Sequence, residues 1–244
     1  MSEYLLVRLS NQPQTKVHWW IGSDLTTSVE KQGELASWEE VGELAKEVEQ
    51  RPVIVLISGA DVVLKEVTLP SGRARQFEKM LPYLVEDELA QDADTLHFSV
   101  LSKRGEQVFT AAIDQHWITT ILAQFEAAGI TVDKMLPDVL ALPATEGASA
   151  LQLGDEWLIR QGEFRGLCIE NAWMPFFCRG ESEDDEESPV LCVTCYSPKP
   201  GIEDNHQQVW TEDLADSVFS ILLKGALTSP VTLLTGQFKS LRLG

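Results

Sequence analysis

The chain is punctuated into short apolar runs, and the order of those runs is the strongest constraint on its fold. Residues 4–10 (YLLVRLS), 16–22 (KVHWWIG) and 26–35 (TTSVEKQGEL) are short strand candidates, parted by the turn formers Asn11, Pro13, Gly22, Ser23 and Asp24. Ser37 then offers an N-cap hydroxyl with Glu40 three residues on, a capping-box pattern. Trp38, Val41, Leu44, Ala45 and Val48 recur at helical spacing until Arg51-Pro52 stops them. Residues 53–59 (VIVLISG) read as a fully buried strand. The same order returns later. Residues 150–154, 156–162 and 164–170 are three short strand candidates, 171–180 a short helix, 189–196 a strand, and 212–229 the longest amphipathic helix. The repeat is of order, without clear identity of residues.

Between these units, residues 62–137 follow a cycle of their own. Residues 62–70 form a strand, 73–90 a helix in which Pro82 predicts a bend, 95–101 and 107–114 a hairpin, 116–129 a helix closed by Gly129, and 130–137 a last strand. That β-α-β-β-α-β count is the split arrangement of ferredoxin-like domains. The flanking units, three antiparallel strands, a helix and a strand able to add in parallel, are ribonuclease-H-like. The fold expected is therefore α/β: duplicated ribonuclease-H-like halves of the actin-like ATPase superfamily around an inserted ferredoxin-like module. The expected boundaries are 1–61, 62–137 and 138–244.

Charge narrows the partners. Nineteen Lys and Arg stand against 38 Asp and Glu, a net charge of −19, which opposes nucleic acid and anionic membrane surfaces as main partners. No segment supplies the roughly 18 apolar residues of a membrane span, and the opening MSEYLLVRLS lacks the pattern of a secretion signal. The chain reads as cytoplasmic. Residues 181–187 (ESEDDEE) read as a solvated acidic loop, with a docking strip for a basic partner as the alternative. The four cysteines lie in the last third. Cys192 and Cys195 fall in a strand candidate, where their odd separation sends the thiols to opposite faces, so they read as structural. His18, His97, His116 and His206 are scattered.

No phosphate loop, dinucleotide fingerprint, zinc motif or nucleophile elbow is present, and no catalytic, cofactor or metal residue is assigned. Actin-like enzymes place an Asp followed by Gly at the first hairpin of each half to handle Mg²⁺ and phosphate. Here the hairpins read Arg8-Leu9-Ser10-Asn11-Gln12 and Gln152-Leu153-Gly154-Asp155-Glu156. Acids in the second would cost roughly 1 kcal/mol or more each against a phosphate about 4 Å away. A fold without nucleotide chemistry is preferred; a nucleotide-binding switch is the alternative.

Residues 69–101, with DKMLPDVLALP (133–143), ALQLGDEWLIRQG (150–162) and SPVTLLTGQFK (229–239), resemble the cytoplasmic region of the type II secretion protein L family. MLPYLVEDELAQD and LLTGQF are the most specific parts. The resemblance implies a non-enzymatic scaffold on the cytoplasmic face of the bacterial inner membrane, anchored by a helix beyond residue 244. It would recruit the secretion ATPase through that enzyme's N-terminal domain, and associate with protein M and with itself. Within the module, Glu86, Asp87, Glu88, Asp92 and Asp94 gather at the C-terminal end of the first helix, where negative charge opposes the helix dipole. They are the candidate partner contacts.

Overall fold

A computed structural model describes residues 2–26, 28–69, 79, 81–82, 91–179, 189–201 and 207–239. β1 (Glu3–Leu9) runs antiparallel to β2 (Val17–Ser23), β2 antiparallel to β3 (Val29–Leu35), and β4 (Val53–Ile57) joins β1 in parallel. Every residue of β4 is buried. Val53, Val55 and Ile57 enter one apolar cluster while Ile54 and Leu56 enter another, which is why this strand reads as an unbroken apolar run.

The helical segment before β4 departs from expectation. It is a 3-10 helix over Trp38–Leu44 that becomes α1 (Ala45–Val48) only in its last turn. The Ser37 hydroxyl makes no capping bond, and the Glu40 carboxylate accepts instead from the Ala36 N–H at 3.0 Å. Gly42, a poor helix former, interrupts the α-helical pattern at its centre. Packing holds the segment in place, with Trp38 edge-on to Trp117 at 5.1 Å between centroids.

β5 (Val62–Thr68), β6 (Leu96–Arg104) and β7 (Gln107–Asp114) make a three-stranded sheet in the order β5-β7-β6. α2 (Gln115–Ala127) follows. The Asp114 carboxylate accepts from the Trp117 N–H at 2.8 Å, and Gly129, at φ 74°, ends the helix. Trp117, Ile118, Ile121 and Phe125 are its buried stripe. Of the helix expected over 73–90, only Lys79, Leu81 and Pro82 are described, and they are helical; the bend expected at 80–83 otherwise lies outside the described residues.

The module's expected fourth strand goes elsewhere. β8 (Lys134–Pro137) pairs in parallel with β4, completing the first sheet in the order β3-β2-β1-β4-β8. Met135 and Leu136 are fully buried in opposite clusters, so β8 needs two covered faces, which a place beside β4 supplies.

The second sheet has the matching order β11-β10-β9-β12-β13, from β9 (Ala148–Leu153), β10 (Glu156–Arg160), β11 (Gly166–Glu170), β12 (Leu191–Cys195) and β13 (Gln208–Glu212). Sequence reading missed β13. Its parallel partner β12 and buried Trp210 secure five residues that carry too little apolar content to stand out. β13 takes Glu212 from the expected last helix. α4 (Val218–Thr228) therefore starts later, capped by the Ser217 hydroxyl, which accepts from the Ser220 N–H at 3.1 Å; at 11 residues it is shorter than the 13 of α2. The short α3 (Met174–Arg179) covers one face of this sheet through Met174 and Cys178. α4 covers the other and inserts Phe219, Leu222 and Ala226 into a cluster shared with Leu6, Trp20 and Leu56 of the first sheet.

Candidate functional site

The β1–β2 and β9–β10 connections face one another across an open cleft of about 1400 Å³. Its floor is an arginine. Arg8, 1% exposed, donates from Nε to Asp138 Oδ2 at 3.0 Å and from Nη2 to the Glu156 carboxylate and to Cys168 Sγ, the latter at 3.3 Å. Asp138, fully buried, follows β8, and its other oxygen accepts from the Gly59 N–H at 2.8 Å. Glu156 comes from β10 and Cys168 from β11, so one guanidinium ties the first sheet to the second.

The electrostatics follow from burial. Desolvation opposes the Arg8 charge, but the carboxylates of Asp138 and Glu156 outweigh it and raise its pKa, so Arg8 stays cationic. Burial pushes the Asp138 carboxyl up, and the guanidinium and the Gly59 N–H pull against it. Burial also pushes the Cys168 thiol up, with the Asp138 charge adding to it, so it is no thiolate nucleophile. Asp61, accepting from the Asn11 N–H at 2.8 Å, is raised by burial to about 6. His18 is lowered by burial and by Arg8, and stacks on Trp20 at 6.1 Å.

The cleft therefore presents few free positive charges. Arg8 is held by two carboxylates, and Lys16 reaches Glu34 at 3.2 Å. Asp155 and Glu170 are exposed on the opposite wall. Among the described residues no cluster of His, Cys, Asp and Glu is arranged to hold a metal ion. Chemically, this arrangement joins the two sheets and lines the cleft with carboxylates that repel anions.

Of the candidate contacts, Glu86, Asp87 and Glu88 lie outside the described residues, as does the acidic run 181–187. Asp92 and Asp94 are exposed, at the single 3-10 turn Ala93–Thr95 that leads into β6. Cys192 is exposed and Cys195 buried, on opposite faces of β12 as expected. His97 is buried, its Nε2 3.1 Å from the Leu233 carbonyl, while His116 is exposed. Sequence reading missed the Arg8–Asp138 pair. The signal available was one charge inside each of two apolar runs, YLLVRLS and MLPDVLALP.

The family model for type II secretion system (T2SS) protein L matches residues 5–240. The chain belongs to this family. It is 38% identical over 240 residues to protein L of Vibrio cholerae, covering 98% of this chain and 59% of that protein. It is 33% identical over 170 residues to protein L of Pectobacterium carotovorum, covering 69% of this chain and 40% of that one. The chain thus spans less than two thirds of these curated relatives. A solved structure, the cytoplasmic domain of EpsL, an inner membrane component of the type II secretion system of Vibrio cholerae, matches with TM-score 0.88 over 98% of this chain and 100% of that one. The α/β fold with mixed sheets is thereby that of the protein L cytoplasmic domain. Among the described residues, no helix is long and apolar enough to cross a membrane.

Proposed function

We propose that the chain is the cytoplasmic body of a type II secretion inner-membrane component, a non-enzymatic scaffold that docks the secretion ATPase, through that enzyme's N-terminal domain, to the membrane complex. Family membership supports the secretion role. The observation that carries the scaffold reading is Arg8. In a duplicated ribonuclease-H-like, actin-like body the first hairpin is where an acid would meet a magnesium nucleotide. Here that hairpin carries a buried arginine committed to Asp138 and Glu156. In this reading residues 1–61 and 138–244 are the two halves, 62–137 contributes the inserted module, and protein M and a second copy are further partners.

The net charge of −19 favours a basic surface on the ATPase domain. Glu86, Asp87, Glu88, Asp92 and Asp94 are the proposed contacts. The test is co-elution of the chain with the ATPase N-terminal domain at low and moderate salt. A complex that is weakened by reversing these five charges, with the thermal melt unchanged, is expected. No complex at either salt would overturn the scaffold reading, and a complex indifferent to the reversal would move the footprint elsewhere.

A further inference from the structure

The rim of the cleft carries a feature that its floor does not explain. Trp173 and Phe176 are 59% and 61% exposed, their rings 5.4 Å apart and tilted. They sit where the turn Asn171–Trp173 runs into α3, whose opposite side buries Met174 and Cys178. Exposed large aromatics mark contact sites more often than chance. Trp173 is also firmly placed. The Asn171 N–H donates to the Asp155 carbonyl at 2.7 Å, and the Asn171 side chain accepts from Trp157 Nε1 at 2.8 Å, so the aromatic turn is fastened to the β9–β10 hairpin.

Trp173 lines the same cleft as Asp155, Glu156, Glu170 and Glu34. We infer that this cleft is a docking groove for an extended basic segment of a partner protein, its cationic side chains facing Asp155 and Glu170 and one apolar side chain packing on Trp173. Size, charge and apolar anchor agree on that occupant. At about 1400 Å³ the cleft exceeds the ~300–1,000 Å³ of small-molecule pockets. Its carboxylates repel anions, and a second copy of a chain carrying −19 meets the same repulsion. A guanidinium also packs well on an indole face. Asp92 and Asp94 of the inserted module do not line the groove, so it stands whether or not the ATPase docks on them.

The test uses a labelled short peptide of alternating arginine and leucine, and its glutamate-for-arginine twin, titrated against the chain by fluorescence anisotropy. The basic peptide is expected to bind and the acidic twin to stay free. Trp173→Ala should weaken binding about tenfold or more, and the double reversal Asp155→Lys with Glu170→Lys should do the same. Asp92→Asn with Asp94→Asn, on the module, should leave it unchanged. Both rim variants alter exposed side chains, and a melting curve matching the parent's confirms that each is folded. Binding indifferent to Trp173 and to the rim reversal, or lost equally with the module variant, would overturn the groove in favour of diffuse attraction. Dimers of the parent that Trp173→Ala dissolves would assign the aromatic face to a second copy and overturn it too.

Discussion

The two five-stranded sheets share one strand order and are finished differently. Beyond β8, the last strand of the first sheet, residues 232–235 lie along its edge. The Leu233 N–H donates to the Met135 carbonyl at 2.6 Å, and Leu233 and Leu234 are buried. The second sheet ends, among the described residues, at β13, where Val209 is 43% exposed beside the exposed Cys192 of β12. Its α3 turn also leaves Trp173 in solvent. Equal topology therefore gives unequal surfaces: the first sheet spends its edge on internal contacts, and the second keeps apolar groups available. The Arg8 network and α4 join the two.

The largest effect is expected at the joint between the two sheets. Arg8→Met leaves Asp138 buried without its counterion and should cost about 3–5 kcal/mol in urea unfolding. Replacing Asp138 by Leu in the same chain should recover much of that, because the uncompensated carboxylate is then gone. Gly225 comes next. It lies where α4 crosses the 3-10 turn Asp138–Ala141, and a Cβ there would run into the Ala141 backbone. Gly225→Ala should cost about 1–3 kcal/mol and loosen the packing of α4 on that turn, read as a lower melting temperature.

Two groups around the first sheet give it opposite pH signatures, Asp61 just after β4 and His97 on β6 against its edge cover. Asp61 has its folded pKa raised to about 6 from 3.8, so the folded state binds more protons within that window and stability falls as pH rises through it. Asp61→Asn should abolish that decline and gain on the order of 1 kcal/mol at neutral pH, seen in melts from pH 4 to 7. His97 works the other way. Burial lowers its pKa, so the stability it contributes is present above about 6.5 and is lost as pH falls. It holds the edge cover through the Leu233 carbonyl, beside Ser99 Oγ, which lies 2.7 Å from Thr235 Oγ1. His97→Gln should flatten the acid-side decline. Smallest of all, Trp173→Ala should change stability by under about 0.5 kcal/mol, as expected for a side chain that packs on a partner.

Much of the fold was legible because its strands announce themselves. β4 is an unbroken apolar run since both faces are covered, and the α2 stripe and Gly129 closure follow from helical periodicity and backbone sterics. Pairing was harder to read. β8 resembles a module strand in sequence order, and only the need of Met135 and Leu136 for two buried faces returns it to β4. β13 is short and polar at its ends. Ser37 and Glu40 carry a capping-box pattern, yet packing of Trp38 against Trp117 sets the segment's conformation. In the cleft, the acids of the second hairpin were visible, whereas the Arg8–Asp138 pair spans 130 residues and exists only through the topology that joins β1 and β8 to β4.

With Arg8 held by Asp138 and Glu156, the hairpin cleft has, among the described residues, no free cation on its floor for a phosphate. Calorimetric titration of the chain with magnesium ATP should therefore give no saturable heat at millimolar nucleotide. Micromolar binding that is abolished by changing residues of the Gln152 to Glu156 hairpin would contradict it, and would make the chain a nucleotide-responsive switch.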